Sequence, residues 1–157
     1  MDRKELDKLF NYLPVIVATC DRYGWLGGKG SPIDPGSIIE TREFFEYLSG
    51  IIPLNDIPEL EDVIGDPAGA ITLLWETPVD PVHVTYDSFA ISLFGNGEIN
   101  YKGKLESIGT EIWGSTPLEK DLNSDIIEHI LFFQRKQDEQ RKVQKPTASE
   151  LNSYQRL

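Results

Sequence analysis

The chain has a single cysteine, Cys20, in 157 residues, so no disulfide can staple it internally, and the composition fits a reducing compartment better than a secreted, stapled scaffold. A reducing, cytoplasmic setting is the expectation. Histidine is almost as scarce: His83 and His129 are the only two, and neither has a second histidine or cysteine at metal-ligand spacing. A zinc-type site is not expected. No window approaches the roughly 20 apolar residues of a membrane helix. The opening Met1-Asp2-Arg3-Lys4-Glu5-Leu6 lacks the apolar core of a signal peptide. Neither membrane insertion nor export is expected.

Basic residues are also few, 15 against 26 acidic ones, for a net charge of -11. Six of the 15 lie beyond Gln134, which leaves nine basic and 23 acidic residues in 1–133, a body charge of -14. Such a body repels nucleic-acid phosphates and attracts basic surfaces, so direct nucleic-acid binding is disfavoured. Charge that merely keeps the chain soluble is the plainer reading.

What remains is an ordinary globular composition, 39% apolar and 26% charged, which predicts one domain over 1–133 followed by a polar charged tail over 134–157. Leu6, Leu9, Phe10 and Leu13 form the stripe of an amphipathic helix that Pro14 ends or bends. Val15 to Thr19 reads equally as a strand or as a buried extension of that helix. Tyr23 to Gly36, with five glycines and two prolines in fourteen residues, is a loop. A second helix follows, capped by Asp34, with Ile38, Ile39, Phe45, Leu48 and Ile52 recurring at helical spacing until Ser49-Gly50.

Leu60 to Ile64 suits a short edge strand, and from Ala70 to Ile112 the period becomes two. Ile71, Leu73 and Trp75 share a face, as do Val82, Val84 and Tyr86, and then Phe89, Ile91 and Leu93. Gly95-Asn96-Gly97 should close a hairpin between Phe89–Phe94 and Glu98–Lys102. Leu105, Ile108 and Ile112 continue the meander, with Gly103 and Gly109 as bends. The last helix starts at Ser124 and buries Ile127, Ile130 and Leu131, with Phe132 or Phe133 on its flank. Beyond it lies a helical or disordered tail that can be cut after Phe133 without loss of the fold, and that offers a route to oligomers. The fold class is α+β: an antiparallel meander of four or five strands against about three helices.

The motifs do not add up to catalysis. Gly27-Gly28-Lys29-Gly30 lacks the G-x-x-x-x-G-K-[ST] run and flanking strand of a phosphate loop. No marked turn presents a nucleophile, and Cys20 beside an apolar run reads as a small core residue rather than a thiolate paired with His83 or His129. No catalytic residue, metal ligand or cofactor is assigned. The candidates for partner binding are Glu59, Glu61, Asp62, Asp66, Glu76, Asp80 and Asp87, otherwise a solvated face, together with two tryptophans. Trp75 belongs to the core, whereas Trp25 and Trp113 lie beside glycines in expected loops. Packing is the preferred reading of each, and an exposed anchor the other.

Three motifs run in order through Tyr23–Phe133: W-x-G-x-x-x-x-P-I-x-P (Trp25–Pro35), F-x-x-x-L (Phe44–Leu48) and D-x-x-G-x-I-x-L-x-W-E (Asp66–Glu76). With the I-x-Y of Ile99–Tyr101, they resemble a widespread family of small, uncharacterised bacterial and phage-encoded proteins. The chain departs from that pattern at Gly27, where an Asp-Gly pair is common, and at Leu74, where glutamate is typical. The resemblance implies a compact α+β domain without established activity. It also implies kinship with the accessory genes of mobile elements, defence islands and toxin-antitoxin loci. The expected function is therefore a non-enzymatic acidic module that inhibits a basic, nucleic-acid-handling protein or defence complex, in the manner of a phage anti-defence or anti-CRISPR protein. An antitoxin or immunity protein is the alternative, and a small metal-dependent hydrolase using Glu76 and Asp80 is the third reading.

Overall fold

The computed structural model describes residues 1–20, 30–80, 82 and 85–144. Its elements are α1 (Arg3–Thr19), α2 (Gly36–Ser49), a short 3-10 turn (Leu54–Asp56), β1 (Asp62–Asp66), β2 (Ala70–Asp80), β3 (Thr85–Leu93), β4 (Glu98–Leu105), β5 (Thr110–Pro117) and α3 (Ser124–Gln144). The strands form one antiparallel meander in the order β1-β2-β3-β4-β5. The fold is α+β.

Asp2 starts α1 by accepting the Glu5 N–H at 2.8 Å. The helix runs through Pro14 to Thr19, so Val15–Thr19 is helix. The reason is the stripe: Leu13, Ile16, Val17 and Cys20 are buried at the spacing begun by Leu6 and Leu9, while Val15 is exposed. Burial of this continuous face offsets the hydrogen bond that proline removes.

Asp34 accepts the Gly36 N–H at 2.7 Å at the start of α2. The buried face of α2 is rotated from the expected one, with Ile39 exposed and Ser37, Glu40 and Thr41 buried beside Phe44, Phe45 and Leu48. Glu40 explains the rotation. Its two carboxylate oxygens accept the Gly95 and Gly97 amides, each at 2.6 Å, on the β3–β4 turn. Those glycines hold φ of 83° and 82°, a region that side chains disfavour, so the tight turn expected of Gly-Asn-Gly is present and clamped from above.

Strand alternation puts Ile71, Leu73 and Trp75 of β2, Phe89, Ile91 and Leu93 of β3, and Ile99 and Leu105 of β4 on one buried face. Trp75 donates its indole N–H to the Pro58 carbonyl at 3.1 Å and stacks on Phe89, which in turn meets the His129 ring at a 5.0 Å centroid distance. Gly103 is not a bend. It sits within β4 opposite Phe89, where a Cβ would lie 2.9 Å from His129 Cδ2, so glycine is what admits α3 to the sheet.

Three further expectations are corrected. β3 begins at Thr85, not in a Val82–Tyr86 strand: Val82 is 78% exposed between the strands, Tyr86 points away from the core, and Val84 lies outside the described residues. Ile108 is exposed in the β4–β5 turn, where Gly109 takes φ 66°. In α3 the buried positions are Ile126, His129, Ile130 and Phe133, a phase one residue earlier than expected. These four recur at i, i+3, i+4 and i+7, and the helix is capped not by Ser124 but by Asn123, which accepts the Asp125 N–H at 2.8 Å.

α3 continues past Phe133 to Gln144, and its extension is fastened. Gln137 accepts the Glu59 N–H and donates to the Glu59 carbonyl, both at 2.8 Å. The folded unit therefore does not end at residue 133; residues 145–157 lie outside the described ones.

Two outcomes follow. Glu40→Ala leaves two turn amides without their acceptor and should cost about 3 kcal/mol in urea unfolding. Ending the chain after Phe133 should lower the melting temperature by about 4–8 °C, while ending it after Gln144 leaves it unchanged; equal melting of the two truncations would refute a role for the Gln137 pair.

Candidate protein-binding surfaces

The second face of the sheet is formed by the residues that alternate with the core. One rung crosses it from Asp62 through Leu74, Ala90 and Lys102 to Trp113, each opposite the next in register. Leu74 and Ala90 are half-buried, and Trp113 is 74% exposed. Trp113 lies in β5 and not in a loop, with its ring on the open face: the exposed alternative describes it, and packing does not. Along the same strand pair, hydrogen bonding and charge from Glu106, and charge from Glu111, raise the Lys104 pKa above its ordinary value.

The acidic candidates separate into three groups. Glu59, Glu61 and Asp62 border a groove of about 510 Å3 between α1 and the segment entering β1. Its apolar lining is Met1, Leu9, Tyr12, Leu60 and Val63, and Glu5 and Lys8 complete the rim. Glu59 and Glu61 also reach a neighbouring cleft of about 290 Å3, where they join Glu76, Gln137 and Arg141. Arg141 stands 3.6 Å from Glu59 and 3.8 Å from Asp138, with all three side chains half exposed, so it offsets little of the acid.

Asp66 and Asp80 belong to turns. Asp66 accepts the Ala68 N–H and Asp80 the Val82 N–H, both at 2.8 Å. Asp87 stands apart from the solvated face altogether. It is 1% exposed and accepts the Ser107 N–H at 2.9 Å and the Ser107 hydroxyl at 2.7 Å, which fixes the β4–β5 turn from inside. Period two hides this, because Asp87 occupies the inward phase of Phe89 and Ile91. Trp25 lies outside the described residues.

Trp113 and the acidic groove are thus not one site. They occupy opposite edges of a five-stranded sheet, roughly 19 Å apart at the usual strand spacing. Glu5, Lys8 and Tyr12 were missed as groove residues; their signal in the sequence is only the solvent side of the α1 stripe.

Chemistry-bearing groups are sparse elsewhere. Among the described residues no three His, Cys, Asp or Glu side chains converge on a metal position. His129 Nδ1 lies 2.7 Å from the Asp125 carbonyl, which can only accept, while Nε2 is buried against Gly103 with no hydrogen-bond partner among the described residues. Cys20 is buried in the core beside Gly65. No helix is long and apolar enough to cross a membrane among the described residues.

Compared with protein-family models, with curated proteins and with solved structures, the chain gives no match.

The division between buried and surface carboxylates is measurable. Asp87→Ala should destabilise the fold by about 3 kcal/mol, because it strands the Ser107 amide and hydroxyl; Glu61→Gln and Trp113→Ala should stay within about 1 kcal/mol of the parent. A neutral Asp87→Ala in urea unfolding would return that residue to the surface set.

Proposed function

We propose that the chain is a non-enzymatic, acidic protein-binding module that takes a basic segment of a partner protein into the groove between α1 and β1. The observation that supports this is the groove itself: the carboxylates of Glu5, Glu59, Glu61 and Asp62 face a single lysine, Lys8, and the Met1 α-ammonium, which is turned to the Ile57 carbonyl, across a lining of Leu9, Tyr12, Leu60 and Val63. A lysine or arginine lays its aliphatic stem on such a floor and sets its charged head among the carboxylates. The partner class is a basic protein that handles nucleic acid, or a defence complex containing one. Covering its cationic surface makes the module an inhibitor acting in the cytoplasm. The charge of -14 carried by residues 1–133 speeds the encounter, and salt screens it over about 10 Å at 0.1 M.

An antitoxin or immunity protein uses the same chemistry on a toxin and is the second reading. The hydrolase reading has less support, since Glu76 lies in the second cleft while the Asp80 carboxylate accepts a backbone amide in its own turn.

The test compares the full chain with a Glu59→Gln, Glu61→Gln, Asp62→Asn triple variant in affinity capture from host lysate at low and high salt. The expected result is a basic protein retained at low salt by the parent alone. Equal recovery by the triple variant would remove the groove from the account, and a melting temperature raised by a divalent ion would favour the enzyme.

A further inference from the structure

Strand β5 is the long edge of the sheet, and its register shows which of its backbone groups lack a strand partner among the described residues. The Leu118 N–H donates to the Gly97 carbonyl, and bonded pairs alternate along an antiparallel ladder. Thr110, Ile112, Gly114 and Thr116 therefore bond to β4, while Glu111, Trp113 and Ser115 turn their N–H and C=O groups outward. Pro117 falls in the outward phase, where its missing donor costs the ladder nothing. The strand pairs with β4 in regular register from Thr110 to Pro117 without a bulge, unlike β2, which shifts between Pro78 and Asp80. Apart from Glu111 and the terminal proline, β5 carries none of the usual devices that blunt an edge.

We infer that β5 pairs antiparallel with β5 of a second copy of this chain, about a two-fold axis at Trp113, joining two sheets into one. An edge strand is self-complementary, which a two-fold interface requires. With the axis at Trp113, each outward residue meets an outward residue: Trp113 faces Trp113 of the second copy, and Glu111 faces its Ser115. The alternative registers oppose Glu111 to Pro117, which has no donor, or draw Gly109 of the turn into the ladder.

Charge permits a second copy at this edge, where the strongly acidic remainder of residues 1–133 would not. Residues 98–117 hold Lys102 and Lys104 against Glu98, Glu106 and Glu111, a net of -1 in a body of -14. Across the seam the rungs read Lys102, Trp113, Trp113, Lys102 and Lys104, Glu111, Ser115, Asn100, so no like charges stand directly opposed. On the inner face, Ile112 meets Gly114 of the second copy, beside the Tyr101 ring that already covers that glycine. The acidic groove sits at the β1 edge, so the two surfaces do not compete. A single strand pair is small against the roughly 800 Å2 per partner of a standard interface, so its test spans a wide range of protein concentration.

Sedimentation of the full chain from about 5 to about 500 μM tests this. The mass should rise from 17.8 kDa toward twice that value. Trp113→Glu should weaken the dimer on the order of 100-fold, since it replaces an aromatic pair with two like charges. Ser115→Pro, which deletes an outward donor and leaves the β4 ladder whole, should weaken it roughly 10-fold or more. Both variants keep the circular dichroism of the parent. A chain that stays at 17.8 kDa throughout overturns the inference and leaves the edge to a strand of a different protein; a dimer unaffected by either substitution overturns it by placing the contact elsewhere.

Discussion

A sheet covered on one face must obtain all of its dry area from one phase of each strand. In this protein that phase carries Trp75, Phe89, Ile91 and Leu93 at the centre, with α1, α2 and α3 supplying the opposing apolar stripes. The rest follows from that division. The opposite phase has to be tolerable in water, and it is mostly polar, with Ile64, Leu74, Tyr86, Ala90 and Trp113 among its apolar members. The helices must approach closely, which is why Gly103 has no side chain and why His129 lies on Phe89 in the space so left. Burial of this kind contributes about 25 cal/mol per Å2 of apolar surface, so the single dry face holds most of the stability.

Carboxylates complete the scaffold, which is unexpected in a chain with a surplus of them. Burying a charge is costly unless hydrogen bonds replace its water. Glu40 and Asp87 meet that condition by accepting two donors each, from the β3–β4 turn and the β4–β5 turn. Each ties a hairpin tip to the body. At 7% and 1% exposure they are lost to any partner, so the acid available for binding is less than the composition suggests.

The available acid collects at the β1 edge because α1 and the segment from Glu59 to Val63 run side by side there and leave a groove between them. The Gln137 pair holds that segment from the other side. At the β5 edge the opposite holds: charges nearly balance, and an aromatic ring and backbone groups without a strand partner among the described residues remain. The sheet thus separates an electrostatic surface from a backbone-pairing one, and its rigidity keeps them apart.

Much of the architecture was legible in the amino acids. Period two marked the strands, Gly95-Asn96-Gly97 marked the hairpin, and the stripes of Leu6 to Leu13 and of Ile127 to Leu131 marked helices, because burial on one face leaves a repeat in the sequence. Phase was less legible. Ile39 and Ile127 looked buried, yet α2 turns Glu40 inward and α3 buries Ile126 with Ile127 only partly covered, and periodicity does not register a carboxylate that satisfies a distant turn. Composition by itself established the acidic body, the absence of an internal disulfide and the lack of long apolar runs. Only the tertiary structure decided which carboxylates face water, that Trp113 stands on an open edge rather than in a loop, and that it lies across the sheet from Glu59, Glu61 and Asp62. Those are distances between residues far apart in the chain, and strand pairing sets them, not local preference.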